Sequence, residues 1–173
     1  MSLIKHASDD VKKDILTKVV QDGLRLCFAI EESNHHDPVK ISCEAKKDGS
    51  NFIISGEKSF VIDGGFADKV IVACRTSGEE GSKDGLSLFV LDANSKGLTI
   101  TPTKMVDSRN AANMKFENVK VSSDMLIGKE DDAYEIIESV LDISRAAISA
   151  EMLGSALQAL SLIHISEPTR QPI

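Results

Sequence analysis

Tryptophan is absent from the 173 residues, tyrosine occurs once, and aromatics make up only 4% of the chain. The three cysteines, Cys27, Cys43 and Cys74, are odd in number and far apart in sequence. That excludes a disulfide framework and a zinc knuckle, and it reads as buried thiols in a reducing compartment. The adjacent His35 and His36 lack a second ligand pair, so no metal site is expected. No apolar run is long enough to cross a bilayer, and no apolar stretch follows a basic N-terminus as in a secretory signal. Basic charge is in deficit: 20 Lys and Arg face 27 Asp and Glu, a net charge of −7. The cations are scattered, so the chain has no electrostatic reason to seek nucleic acid or anionic lipid. A cytoplasmic setting is the default expectation, or an organelle matrix if the N-terminus is incomplete.

What is present is an ordinary globular balance, 42% hydrophobic and 27% charged, sufficient for one domain with its own core. Residues 8–22 read as a helix: Ser8, Asp9 and Asp10 suit its start, Gly23 its end, and Val11, Ile15, Leu16, Val19 and Val20 recur at helical spacing. The following hundred residues break into β-forming runs separated by turns: 24–30, 39–46, 51–55, 58–62, 70–75, 86–92, 98–102, 112–116 and 119–121. Asp48-Gly49-Ser50 predicts a tight hairpin. The run 70–75 is apolar on both faces and is expected to be central. Seven or more short, closely spaced strands predict a sandwich or barrel. From Asp131 the period becomes helical again and runs to about Ala159, with apolar residues on more than one face, as in a helix buried among others. Leu160 to Arg170 resembles the in-frame translation of a transposase-type sequencing adaptor. Residues 160–173 are therefore expected to be a non-native tail, and native sequence to end near Ala159.

Several segments in this order resemble the acyl-CoA dehydrogenases. Residues 26–32 (LCFAIEE) are similar to the strand and turn opening the family's middle domain, where the usual pattern ends in Thr-Glu-Pro. Residues 55–68 resemble its Gly-x-Lys strand, Gly-bearing turn and Ala-Asp. Residues 85–92, 116–128 and Leu141-Asp142-Ile143-Ser144-Arg145 resemble later strands, the barrel exit and the Leu-Asp-x-x-Arg of the next helix. The resemblance covers about residues 8–159. It implies an α+β fold: a central antiparallel β-barrel or orthogonal sandwich flanked by one N-terminal helix and one long C-terminal helix. The implied division is 1–23 as the end of an N-terminal helical domain, 24–129 as the barrel, and 130–159 as the first helix of a truncated C-terminal bundle. It also implies FAD as cofactor, an acyl-CoA thioester as substrate, α,β-dehydrogenation with hydride passing to flavin N5, an electron-transfer partner and a homo- or hetero-oligomer.

On this resemblance the cofactor side is Cys27, Ala29, Ile30, His36, Phe60 and Ile62. Ile30 and Ile62 stand where the family usually has Thr, Phe60 where it has Trp, and His36 where a Ser often meets the pyrophosphate. Phe60 keeps an apolar wall without an N–H. Each of these also reads as plain strand core or solvated loop. The substitutions resemble a divergent branch acting on CoA esters of steroid side chains, pimelate or similar acids, which includes enzymes built from two unlike subunits. Asp142 and Arg145 align with substrate-side residues, and their spacing equally reads as an i,i+3 ion pair. Ser144 occupies a position where some members carry the catalytic Glu, so no catalytic residue is assigned. Asp107, Ser108 and Arg109 read as a solvated loop. The leading expectation is a fragment of an FAD-dependent acyl-CoA dehydrogenase, inactive and colourless alone. The others are a non-catalytic partner subunit, a flavin oxidase on the same fold, and an unrelated β-barrel binding module.

Overall fold

In the computed structural model of the chain, residues 2–107 and 109–166 are described, with side chains as far as Leu162. Ser108 of the expected solvated loop and residues 167–173 of the expected tail lie outside the described residues. The chain divides into two units, Met1–Ile137 and Glu138–Ile173.

In the first unit a 3-10 turn, Leu3–His6, precedes helix α1, Asp9–Asp22. The predicted end holds: Gly23 adopts φ 69°, and the Gly23 and Leu24 N–H groups both reach back to the Lys18 carbonyl. Val11 and Ile15 are buried, but Val20 is 82% exposed, so the apolar stripe is narrower than the sequence suggests.

Eight strands follow: β1 (Leu26–Ala29), β2 (Glu44–Asp48), β3 (Asn51–Ile62), β4 (Lys69–Arg75), β5 (Leu86–Asp92), β6 (Leu98–Lys104), β7 (Asn110–Ser122) and β8 (Leu126–Ile127). They form one sheet in the order β6-β7-β3-β2-β4-β5-β8, with β1 also on β4. The α+β class stands. The sheet is sandwich-like and does not close into a barrel, and it is mixed: β1 and β2 both run parallel to β4. One edge of β4 carries β1 at residues 69–72 and touches β2 at Arg75.

The Gly49-Ser50 turn joins β2 to β3 with Asp48 opposite Asn51, as the sequence predicts. The runs 51–55 and 58–62 are a single strand, because Gly56 takes φ 148° where β3 shifts register against β7. A Cβ at Gly56 would lie 2.7 Å from Cys43 Cα, so glycine is required there. Residues 112–116 and 119–121 likewise merge into β7.

Residues 39–43, predicted as strand, are loop. Their backbone groups are satisfied by side chains and by local and loop backbone contacts instead of a ladder. Arg75 Nε donates to Ile41 O (2.9 Å) and Nη2 to Val39 O (3.0 Å), while the Ser42 and Cys43 N–H groups donate to the Glu32 carboxylate.

β4 and β5 are buried nearly throughout, and the Phe52 and Phe89 rings meet at 4.8 Å between centroids. Each such fully buried side chain contributes about 1.5–3 kcal/mol relative to exposure.

Helix α2, Tyr134–Ser166, begins in the first unit and makes up the described part of the second. It continues past Ala159 into the expected tail; Leu160 to Ser166 contains neither Gly nor Pro to stop it. Ile143, Ile148, Met152, Leu153, Leu157 and Leu160 are exposed, so the apolar faces that suit burial among other helices are uncovered in this chain. Among the described residues, no helix is long and apolar enough to cross a membrane, and no three His, Cys, Asp or Glu side chains gather as a metal site.

Candidate functional site

Where β1 ends, the chain is tied to β3 by three contacts. Lys58 Nζ donates to Ile30 O (3.0 Å), Ser59 N to Glu31 O (2.8 Å) and Ser59 Oγ to Ser33 O (3.4 Å). Lys58 is fully buried, and its ammonium pairs with Glu32 Oε1 at 2.7 Å. Glu32 also accepts from Ser42 N (2.8 Å), Ser42 Oγ (2.5 Å) and Cys43 N (3.0 Å). Burial pushes the Glu32 carboxyl up, but the Lys58 charge and these donors outweigh it and hold it below the ordinary glutamate value.

This clamp turns Glu32 inward and leaves Glu31 on the outer side. Glu31 Oε1 meets His36 Nδ1, while Glu31 Oε2 is buried with no hydrogen-bond partner. Glu31, Ser33, Asn34, His35, His36 and Phe60 line an open hollow of about 420 Å³. Phe60 is 53% exposed and adopts φ 52°. A bulky residue in that region costs about 1–3 kcal/mol of backbone strain and must be held there by its surroundings. Ile62, at the end of β3, is 41% exposed, and Phe66 is 62% exposed.

Of the six residues expected on the cofactor side, His36 and Phe60 line the hollow together. Ile30 and Ile62 do not line it; Ile30 is buried, with its carbonyl taken by Lys58, and Ile62 is exposed. Cys27 and Ala29 face the core, so their side chains do not open on the hollow. Burial pushes the Cys27 thiol up to about 12. The β1 run is apolar at every position, so its inward and outward faces are unreadable in sequence.

In the second unit, Arg145 Nη1 lies 2.6 Å from both Asp142 Oδ1 and Glu138 Oε1, so the i,i+3 ion pair forms and extends to a second acid. Ser144 Oγ donates to Val140 O (2.9 Å), a bond within the helix.

Glu31, Lys58, Glu32 and Asn113 (whose Oδ1 accepts from Phe60 N at 3.1 Å) are absent from the sequence-derived site. One signal was available: Lys58 shares the parity of the inward-facing Phe52 and Ile54, which demands a buried acid nearby. A larger hollow of about 790 Å³ lies elsewhere in the first unit, between α1 and residues 123–128, and includes none of the expected site residues.

Residues 27–119 match the family model for the acyl-CoA dehydrogenase middle domain. The chain belongs to the acyl-CoA dehydrogenase family. Acyl-CoA dehydrogenase FadE12 of Mycobacterium tuberculosis is 31% identical over 164 residues, 91% of this chain and 42% of that protein. The chain thus spans about two fifths of the length of the curated relatives it matches. The crystal structure of a probable acyl-CoA dehydrogenase from Mycobacterium abscessus superposes with a TM-score of 0.87 at 23% identity, covering 99% of this chain and 46% of that one. The ChsE4-ChsE5 complex of M. tuberculosis superposes at 0.74 and 19% identity, covering 82% and 37%. Both structural likenesses show the acyl-CoA dehydrogenase fold.

Proposed function

We propose that the chain is the middle-domain portion of an FAD-dependent acyl-CoA dehydrogenase. The division proposed is 1–23, 24–129, 130–159 and a non-native 160–173. The observation that carries the reading is the hollow where β1 meets β3, in a chain of this family: Phe60 as apolar wall, Ser33, Asn34 and His36 as polar lining, and the unpartnered Glu31 Oε2 awaiting a donor. Phe60 can lie against a ring and Ser33 and Asn34 can donate to a diphosphate, while Glu31 Oε2, an acceptor, would take an N–H or O–H of the ring or its polyol chain and not the anionic diphosphate. Phe60 and Ile62 would face the ring, His36 and its neighbours the diphosphate, and the backbone at Ile30 would border the ring edge. Bound there, FAD would supply the hydride acceptor for oxidation of an acyl-CoA thioester. The chain's own residues would orient the ring and exclude water from one side of it. Asp142 and Arg145 are proposed for the acyl-CoA side, and no residue is assigned as base. An electron-transfer partner, oligomeric assembly and a cytoplasmic setting belong to the same proposal.

A second reading, a non-catalytic subunit of a heteromeric dehydrogenase, is favoured by Ile30 and Ile62, which carry no hydroxyl, and by Ser144, whose hydroxyl is used within its helix. One chimera separates the two. Residues 24–129 replace the corresponding segment of a curated full-length relative, and the purified protein is examined for bound flavin and its bleaching by acyl-CoA. A yellow protein bleached by substrate supports the dehydrogenase reading. A folded, assembled and colourless chimera sinks it and favours the partner subunit.

A further inference from the structure

We propose that Asn113 is a positioning residue: its side-chain oxygen holds the Phe60 amide in a left-handed bulge and so sets where the aromatic wall of the hollow stands. The inference rests on reading that hollow as flavin-facing. It concerns a residue on β7 that lines neither the hollow nor any segment resembling a site.

Asparagine is disfavoured inside strands, yet β7 carries two within four residues, Asn110 and Asn113. Both sit opposite the irregular end of β3. Lys58 pairs with Met114 and Val61 with Ala112, so Ser59 and Phe60 together oppose the single residue Asn113. That is a bulge, and a bulge leaves an amide without its ladder partner. Ser59 N is satisfied by Glu31 O (2.8 Å) and Phe60 N by Asn113 Oδ1 (3.1 Å). Just past the end of β3 a related contact follows, made through both the main chain and the side chain of Asn110. Asp63 is again left-handed, at φ 60°. The Asn110 carbonyl accepts from Asp63 N (3.0 Å), its Nδ2 donates to Asp63 Oδ1 (3.1 Å), and its Oδ1 accepts from Gly65 N (3.2 Å). Two asparagines of one strand therefore brace two left-handed residues, one in the bulge of β3 and one just after its end.

β7 is a firm base for this brace, because Ala111, Ala112 and Met114 are buried. Phe60 is half exposed, so few packing contacts fix its ring, and its position follows from the backbone. Without the bulge the strand slips by one residue, and a one-residue slip turns every side chain beyond it to the opposite face. Phe60 and Ile62 would then exchange faces with Val61, which is now 2% exposed. Asn113 thus fixes which residues the sheet offers to a ligand on this side.

The absence of tryptophan makes the test clean. Phe60→Trp places the chain's single tryptophan on the wall, excited selectively over Tyr134. In that background, Asn113→Asp keeps the oxygen acceptor, whereas Asn113→Leu keeps the shape and loses it. Acrylamide quenching and anisotropy of the reporter are read in the intact 173-residue chain, with thermal midpoints recorded alongside. The expected result is a change of about twofold in quenching for Asn113→Leu and recovery in Asn113→Asp, as a face exchange requires. Indistinguishable emission in all three proteins overturns the proposal. Amide hydrogen exchange at Phe60 in the unsubstituted chain needs no variant to fold: a protected amide supports the brace, and exchange at the rate of an open loop overturns it. Added FAD separates the two ideas. If it fails to quench a reporter that still depends on Asn113, the flavin reading fails and the brace stands.

Discussion

Removing the Glu32 carboxylate should cost more stability than removing the Lys58 ammonium, although the two form one ion pair. The asymmetry comes from what each partner keeps. With Lys58→Met, Glu32 retains three donors, Ser42 N, Ser42 Oγ and Cys43 N, and its side chain is 12% exposed. With Glu32→Ala, the Lys58 ammonium is 0% exposed and keeps the acceptor Ile30 O at 3.0 Å. Breaking a buried pair costs about 3–5 kcal/mol when a bare charge is left behind. Glu32→Ala should fall at the upper end, about 4–5 kcal/mol, and Lys58→Met near 2–3 kcal/mol, because its surviving partner is still solvated by hydrogen bonds. The double variant Lys58→Met with Glu32→Gln removes both charges and keeps an acceptor for the Ser42 and Cys43 amides. It should lie within about 1–2 kcal/mol of the parent. Urea unfolding followed by far-ultraviolet circular dichroism at pH 7 gives all three values. The acid limb adds a check. A carboxyl held below its ordinary value contributes stability that is present above about pH 4.3 and lost as pH falls through the folded value. In Lys58→Met the lowering charge is gone while burial persists, so this part of the acid dependence should shrink or invert. Equal costs for the two single variants, or the reverse order, would refute the reasoning.

Arg75→Lys should cost about 2–4 kcal/mol and speed proteolysis within 76–85, since the guanidinium donates to the carbonyls of Val39, Ile41, Ser77, Ser82 and Asp84 and an ammonium cannot span them; wild-type urea and protease profiles would count against that role. Cys27, Cys43 and Cys74 are all buried; burial pushes the Cys74 thiol well up and that of Cys27 to about 12, whereas the contact with Cys74 holds Cys43 below the ordinary thiol value, so Cys43 is protected by burial alone. At pH 8 a disulfide reagent should titrate no thiol rapidly in the native chain and all three after unfolding; fast native labelling would contradict the burial. Asp68 is held at about 2, chiefly by its hydrogen bonds with Arg25. Its contribution is complete above the ordinary aspartate value and is lost as pH falls towards 2, so Arg25→Gln should flatten the unfolding curve between about pH 2 and 4. An unchanged acid profile in that variant would show the pair contributes nothing.

Some of this was legible in the sequence for plain physical reasons. Helix α1 ends where Gly23 permits a left-handed turn, β5 spans Leu86–Asp92 as its apolar run implies, and the Gly49-Ser50 hairpin follows from turn chemistry. The misses share a cause. Residues 39–43 have β-forming composition, but Arg75 and Glu32, distant in sequence, occupy their backbone groups. The sequence suggests a break between Ser55 and Lys58, whereas Gly56 permits close approach to Cys43 within one continuous β3. His36 and Phe60 were named from the family resemblance and share one hollow. Cys27 and Ala29, expected at the site on the same ground, face inward, and a strand without polar residues gives no parity from which to read that. Asn113 carries no local signal beyond being an asparagine in a strand; its role emerges only from the register of β3 on β7.

The central claim is that the hollow formed by residues 31–36 and Phe60 is the flavin-facing side of this chain. Titration of isotope-labelled protein with FAD, followed by amide resonances, tests it most directly. The account predicts weak, saturable shifts at residues 30–36 and 59–62, with the protein colourless again after desalting. Shifts confined to the larger hollow near α1 and residues 123–128, or none at saturating FAD, would contradict it.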